Sequence, residues 1–259
     1  MLDQFLARIF SSWLVFAILA AALLALAEFG WRVGLSRSRA KPERAKDVGG
    51  VPTAVLTLLG LLLGFSFAMA VSRHDTRREL VVQEANSIST TARRARLLPE
   101  PQAANVVRLL REYVALRIEA HRETQFSQRF TALRKSSADL HERLWNEAVA
   151  AAAKQPTPIT ASFIVSLNET IDYEATRIAA KRNHVPGAVW LLLLCVAGCG
   201  LWLVSYQAGT SGRHSILERF VFPILIAIVI AIITDIDTPR GGLIALDDRP
   251  LLELNDSLK

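Results

Sequence analysis

Residues 51–71 read VPTAVLTLLGLLLGFSFAMAV, an apolar run interrupted by three hydroxyl side chains, those of Thr53, Thr57 and Ser66. An α-helix rises about 1.5 Å per residue, so a helix over this run crosses the roughly 30 Å hydrocarbon core of a bilayer. Residues 9–27 and 185–206 form two similar runs. Because 51% of the chain is hydrophobic and those residues are concentrated in the runs, the composition predicts an integral membrane protein.

A fourth apolar run, residues 220–234, is shorter than the other three. As a helix it reaches roughly 22 Å, so it crosses the membrane only if Asp235 or the pair Glu218 and Arg219 is drawn toward lipid depth. A re-entrant or interfacial segment is the alternative interpretation. We predict a fourth span that covers residues 220–236.

Two carboxylates close this fourth run, in the sequence Asp235-Ile-Asp237-Thr-Pro239. A charge at lipid depth is costly unless it has a partner, and Arg73 and Arg77, just beyond the second run, are the nearest basic candidates. We therefore expect Asp235 to be the most consequential single residue, as part of an ion pathway or of a buried ion-pair network. Asp237 is expected to cap the turn at Pro239.

The runs divide the chain into an all-α membrane protein with a helical extramembrane domain between the second and third spans. We predict, in order, a first span within 1–31, a basic loop at 32–50, a second span at 51–71, the helical domain at 72–184, a third span at 185–206, a short loop at 207–219, the fourth span at 220–236 and a tail at 237–259. The first span is expected to be an uncleaved anchor, because the basic stretch after it would be hard to translocate.

Basic residues give the orientation of the spans. The loop at 32–50 carries six of them, Arg32, Arg37, Arg39, Lys41, Arg44 and Lys46. Positive charge in short loops stays cytoplasmic, which favours periplasmic termini and a periplasmic helical domain in a bacterial inner membrane. The inverted topology stays open, because further basic residues flank the domain at its two membrane borders, namely Arg73, Arg77, Arg78, Lys181 and Arg182.

Charge and motif content limit the partners. A net charge of +6 beside several membrane runs indicates anionic lipid headgroups as the partner of the basic residues, and no motif that reads nucleic acid is present. No nucleotide-binding loop, nucleophile elbow or ligand spacing for a metal occurs. We predict no enzymatic activity and no cofactor, and leave open whether an inorganic ion binds.

Apolar residues recur at helical spacing throughout residues 72–184, and two Pro-x-Pro sequences, at 99–101 and 156–158, interrupt them. Four seams are predicted to face the core: Val81, Ala85, Ile88, Ala92 and Ala95; Val107, Leu110, Val114 and Ile118; Leu133, Leu140, Leu144, Ala148 and Ala151; and Ile164, Leu167, Ile171, Ala175 and Ile178.

A group of acidic and amide residues is predicted at one level of this domain. Counting from the membrane runs places Glu84 and Asp172 both about 20 Å above the bilayer on antiparallel helices. Glu84, Asn86, Asn168, Glu169 and Asp172 are therefore candidate site residues, and we expect Glu84, Asn168 and Asp172 to converge. Three interpretations are open: a structural network with Arg177, Arg93 or Arg94, a cation site or permeation ring, and ordinary solvated faces.

Two further features concern assembly. Gly60-Leu-Leu-Leu-Gly64 in the second run forms a face for close helix approach, so Gly60 and Gly64 are predicted to support oligomerisation. The tail at 237–259 is predicted to fold back onto the helical domain, because it holds many apolar residues: Leu243, Ile244, Leu246, Leu251, Leu252 and Leu254.

Several of these segments together resemble the bestrophin-like domain family of bacterial membrane proteins. The resemblance covers roughly residues 55–254 and rests on Leu62 to Phe65, Ser72 to Asn86, Arg111 to Val114, Leu144-Trp145, Leu167 to Asp172 and Asp235 to Gly241. It implies a relation to bestrophins, which are pentameric anion channels, although a shared fold alone does not transfer an activity. We predict a homo-oligomeric ion channel or pore. The alternative is a non-conducting membrane scaffold or stress sensor whose helical domain binds a partner.

Overall fold

The structure, a computed structural model, describes residues 2–40, 49–123, 127–212, 216–238 and 246–259. Within these ranges the chain forms helices and no strand, which confirms the all-α prediction. The helices are α1 (Leu2–Ala40), α2 (Val51–Ala95), α3 (Gln102–Arg122), α4 (Gln128–Lys154), α5 (Pro158–Arg182), α6 (Gly187–Thr210), α7 (Phe222–Asp237) and α8 (Arg249–Ser257), with a π-helical turn, Leu217–Val221, before α7. The two Pro-x-Pro sequences separate α2 from α3 and α4 from α5.

Four helical segments are long and apolar enough to cross a membrane, as predicted: Trp13–Ala40, Val51–Ala95, Pro158–Thr210, whose apolar part is α6, and Leu217–Asp237. The short fourth apolar run, residues 220–234, lies within a longer helix. Its helix begins at the π-helical turn and has 21 residues, a length of about 31 Å. The helix includes Glu218 and Arg219 before the apolar run and Asp235 after it, and which of these charges lies at lipid depth stays a prediction.

The chain divides into two compact units. Unit 1 consists of residues 1–74 and 184–245, and its core is almost entirely aliphatic. The core residues come from all four spans and include Leu23, Leu59, Leu193, Ala197, Leu201, Ala227 and Ile230. Both cysteines, Cys195 and Cys199, lie exposed on the surface of α6.

Glycine lets α1 and α6 approach closely in unit 1. A Cβ atom at Gly30 would lie 2.7 Å from the carbonyl oxygen of Trp202, and Cβ atoms at Gly34 and Gly209 would collide with the backbone of Tyr206 and Trp31. Close backbone approach of this kind is how helices associate where lipid supplies little hydrophobic driving force. The signal in the sequence is Gly30-x-x-x-Gly34, which the sequence analysis missed.

Unit 2 consists of residues 75–183 and 246–259, and it is a helical bundle of the end of α2 with α3, α4, α5 and α8. The predicted seam of α2 is buried at every position, and three of the tail leucines, Leu251, Leu254 and Leu258, join the same core. The tail residues Leu243 and Ile244 lie outside the described residues.

Helix α5 departs from the predicted pattern. Of its expected seam only Leu167 is fully buried, Ile164 and Ile171 are half-buried, and Ala175 is exposed. The buried face instead carries mostly polar and charged residues: Thr160, Phe163, Ser166, Leu167, Thr170, Glu174, Arg177 and Lys181. The core of unit 2 therefore holds polar groups beside its apolar cluster, and a search for apolar periodicity does not detect them.

Candidate ion pathway and buried ion-pair network

Glu84 on α2 is fully buried, and its carboxylate bridges two arginines of unit 2. Arg117 Nε on α3 donates to Glu84 Oε1 at 2.6 Å, and Arg177 Nη1 on α5 donates to Glu84 Oε2. Both arginines are also buried. A buried carboxylate is tolerated at such a position because charged hydrogen bonds replace its hydration.

Glu174 on α5 is the second buried carboxylate. Its Oε1 accepts from Arg117 Nη1 at 3.0 Å, so Arg117 links the two acids. Its Oε2 accepts from the Tyr113 hydroxyl at 3.0 Å and from the Ser137 hydroxyl. Two carboxylates and two guanidinium groups thus balance in charge, which limits the cost of enclosing them together.

His141 on α4 lies at the edge of this network. Its Nε2 is 3.3 Å from Glu174 Oε2 but makes no hydrogen bond within the described part of the chain, and its ring packs against Tyr113 with centroids 5.1 Å apart. Burial lowers the pKa of His141, and the opposing effect of Glu174 is smaller. Burial likewise raises the pKa of the Tyr113 hydroxyl, which remains a donor.

A second histidine, His121 on α3, has a defined tautomer. Arg177 Nη2 lies 2.8 Å from His121 Nδ1, and a guanidinium can only donate, so Nδ1 is the acceptor. Nε2 then carries the hydrogen and faces the carbonyl oxygen of Leu246 at 3.4 Å. The network in this way reaches the segment that precedes α8.

Hydroxyl groups join α2 to α5 beside the ion pairs. Ser87 and Thr91 each lie 2.9 Å from the Thr170 hydroxyl, and Thr91 also donates to the Ser166 carbonyl at 2.8 Å. All four residues are buried. The sequence analysis missed this ladder, together with Tyr113, Arg117, His121, Ser137, His141 and Glu174, because it looked for charges at one level and not for a polar helix face.

The predicted convergence of Glu84, Asn168 and Asp172 was wrong. Asn168 and Asp172 are exposed, and Asn168 Nδ2 donates to Asp172 Oδ2 at 3.1 Å. Asn86 and Glu169 are exposed as well. Equal height above the membrane places residues at one level but not on one face. Glu174, two residues beyond Asp172 and so far around the helix from it, is the acid that points inward.

Arg77 has a helix-capping role in unit 2. Its Nε donates to the carbonyl of Ala180 at 3.2 Å and its Nη2 to the carbonyl of Asn183 at 2.7 Å. These oxygens belong to the C-terminal end of α5, where carbonyls lack partners within the helix. Arg77 therefore stabilises a helix terminus.

Asp237 has the complementary role in unit 1. Both of its carboxylate oxygens accept from the backbone N–H of Val185, at 3.2 and 3.0 Å, just before α6 begins. The predicted turn at Pro239 lies outside the described residues. Asp235 is half-buried near the end of α7, and its pairing with Arg73 or Arg77 stays a prediction.

Unit 1 contains an ion pair that the sequence analysis did not identify. Arg219, in the π-helical turn, donates to Glu28 of α1 and lies 4.1 Å from the centre of the Trp31 ring. Glu28 also accepts from Arg32 at 2.7 Å. This pairing lets the fourth helix contain Arg219 without an isolated charge.

A Cβ atom added at Gly60 or Gly64 would have no atom of another described element within 4 Å, so neither glycine is needed for packing among the described helices. They lie on a stripe of small and hydroxyl side chains on α2 that are all exposed, Thr53, Thr57, Gly60, Gly64 and Ala68.

Among the described residues no cluster of three or more His, Cys, Asp or Glu side chains could hold a metal ion. The two candidate features are thus an uncovered stripe in unit 1 and an enclosed ion-pair network in unit 2.

These features define a multi-pass helical membrane protein with a helical bundle that encloses buried ion pairs. A family model for the Bestrophin-like domain matches residues 14–251, so it begins well before the segments that carried the resemblance. The chain belongs to the Bestrophin-like domain family.

Solved structures share the fold. A bacterial bestrophin homologue from Klebsiella pneumoniae has a TM-score of 0.66 and 15% identity, over 92% of this chain and 95% of that one. A single-substitution variant of a homologue from the same organism gives 0.69 and 16%, over 92% and 97%. A structure described only as a membrane protein gives 0.70 and 15%, over 92% and 97%. Curated proteins give no match.

Proposed function

We propose that the chain assembles into a homo-oligomer that conducts ions across the bacterial inner membrane. Membership of the Bestrophin-like domain family supports a membrane channel. The observation that carries the proposal is the exposed stripe on α2. It runs from Thr53 to Ala68 at intervals of 4, 3, 4 and 4 residues, which keeps its members on one side of the helix.

The stripe differs from the other exposed surfaces of unit 1. Elsewhere these spans expose many large apolar side chains suited to lipid, although α1 also exposes the small residues Ala17, Ala21 and Ala25. The large ones include Trp13, Ile18, Phe29, Leu191, Leu192, Leu225 and Ile232. On α2 such residues, Leu61, Phe65 and Phe67, flank the stripe but do not belong to it. Small residues and threonines are typical of surfaces that meet another helix or water. Copies of α2 arranged around a common axis would cover the stripe and line a pore with it.

The buried acids do not belong to this proposed pathway. Glu84 and Glu174 contact arginines of the same chain and not open space. This arrangement suits a structural or sensing role for unit 2. The alternative function, a non-conducting scaffold or stress sensor, would depend on that role. We therefore assign permeation to α2 in unit 1, and we propose a pentamer, by analogy with bestrophins, with periplasmic termini.

The test is the oligomeric state of the protein in lipid nanodiscs, measured by native mass spectrometry, together with ion flux from liposomes. We expect a closed oligomer and dissipation of an imposed salt gradient. A monomer would contradict the proposal, because four spans of one chain leave no enclosed aqueous path. An intact oligomer that passes no ions would instead favour the non-conducting scaffold.

A further inference from the structure

The ring of His141 lies at the edge of the buried network in unit 2. Its Nε2 is shielded from solvent, lies 3.3 Å from a carboxylate oxygen of Glu174 and has no hydrogen-bond partner among the residues that the structure describes. The side chain as a whole is 17% exposed, so protons can reach it. We propose that His141 and Glu174 form a proton-operated switch, in which protonation of Nε2 changes which donors Glu174 accepts from.

The groups that face His141 define what a proton would do. Helix α3 presents Tyr113 and Arg117, helix α5 presents Glu174, and Ser137 and Glu142 lie on the same helix as His141. Beyond Arg117 lies Glu84 of α2. With the carboxylates and arginines already balanced, a proton on His141 adds one uncompensated positive charge to an enclosed cluster.

The exchange of donors follows from the number of hydrogen bonds that Glu174 Oε2 can accept. That oxygen already accepts from Tyr113 and Ser137, which occupies the two lone pairs of a carboxylate oxygen. At 3.3 Å without a hydrogen bond, Nε2 is not aimed at this oxygen, so a turn of the charged ring is needed to bring it into line as a donor that displaces one of the two. Tyr113 lies on α3, whereas Ser137 lies on α4, one helical turn before His141. Loss of the Tyr113 bond therefore weakens the link from α3 to α5, whereas loss of the Ser137 bond leaves that link in place.

The switch has a route to α2. Arg117 binds Glu174 through Nη1 and Glu84 through Nε, so a rearrangement at Glu174 alters the guanidinium that holds α2 in the bundle. This step rests on the proposed function, since α2 is the helix assigned to the pore. Burial holds the pKa of His141 below the ordinary 6.5, so the switch operates in the acid range.

Histidine NMR of the full-length protein in nanodiscs tests the switch without reference to conduction. Between about pH 7.5 and 5, we expect the Nε2 resonance of His141 to titrate with a midpoint below 6.5. The variant Tyr113→Phe removes a competing donor and should move that midpoint toward neutral pH. A His141 that stays neutral throughout, or a midpoint that Tyr113→Phe leaves unchanged, would overturn the switch.

Ion flux at matched pH on both sides then tests its consequence. We expect the flux of the wild type to change in the acid range and His141→Gln to abolish that dependence. The control is His74→Gln, at a half-buried histidine of α2 outside the network, which should retain it. Retention of the full pH dependence in His141→Gln would overturn the coupling. If no variant conducts at any pH, the proposed function fails while the NMR titration still decides the switch.

Discussion

The two units solve the problem of helix packing in opposite ways. In unit 1, α1 and α6 meet through glycines, and the core is aliphatic. In unit 2 the helices enclose Glu84, Glu174, Arg117 and Arg177. Close backbone contact replaces the hydrophobic effect where lipid is the solvent, whereas an enclosed ion pair specifies which faces meet. Unit 1 should therefore be destabilised by larger side chains at its glycines, and unit 2 by removal of a buried charge.

The largest effect is expected from Glu84→Gln. Removal of this charge leaves Arg117 and Arg177 buried with only Glu174 to balance them, and breaking a buried pair costs about 3–5 kcal/mol. Thermal unfolding in detergent should show a large loss of stability in unit 2. Glu169→Gln, the same substitution at an exposed position of α5, is the matched control and should change little. Equal stability of the two variants would contradict the role given to Glu84.

Gly34→Leu should disturb unit 1 by steric conflict. The added side chain meets the backbone of Tyr206, and overpacking of this kind costs about 1–3 kcal/mol. The matched variant Gly60→Leu points into open space within the chain, so it should leave the folded subunit intact and weaken the oligomer. Native mass spectrometry and thermal unfolding separate the outcomes. An unchanged oligomer in Gly60→Leu combined with Gly64→Leu would remove this face from the interface.

Asp237→Asn should have the smallest effect of the three. It weakens the acceptor of the Val185 N–H, a contact similar to a helix cap and worth about 1 kcal/mol.

Asp235→Asn is the comparison that sharpens this prediction. If Asp235 lies on the conducting path, its variant should change ion selectivity or rate with the oligomer intact. If it is a structural partner of Arg73 or Arg77, stability should fall first, and no change in either property would defeat both interpretations.

The sequence predicted the four spans and the buried seam of α2, because apolar residues at helical spacing report burial directly. It did not predict the face of α5, where Glu174 and Arg177 point inward and the apolar Ala175 points out. Burial of a charge depends on partners such as Arg117, which is 57 residues from Glu174 and is brought to it only by the fold. The pairing of Arg219 with Glu28 of α1 was missed for a related reason, since only the fold brings these two residues together.

Thiol modification of the α2 stripe tests the central claim most directly. In a background where the exposed Cys195 and Cys199 are replaced by alanine, Thr57→Cys places a thiol on the stripe and Leu191→Cys places one on the apolar surface of α6. A charged thiol reagent reaches only thiols in contact with water. The account predicts that the reagent blocks the current of Thr57→Cys in planar bilayers and leaves that of Leu191→Cys unchanged. Current through Thr57→Cys that persists in the presence of the reagent would contradict a pore lined by α2.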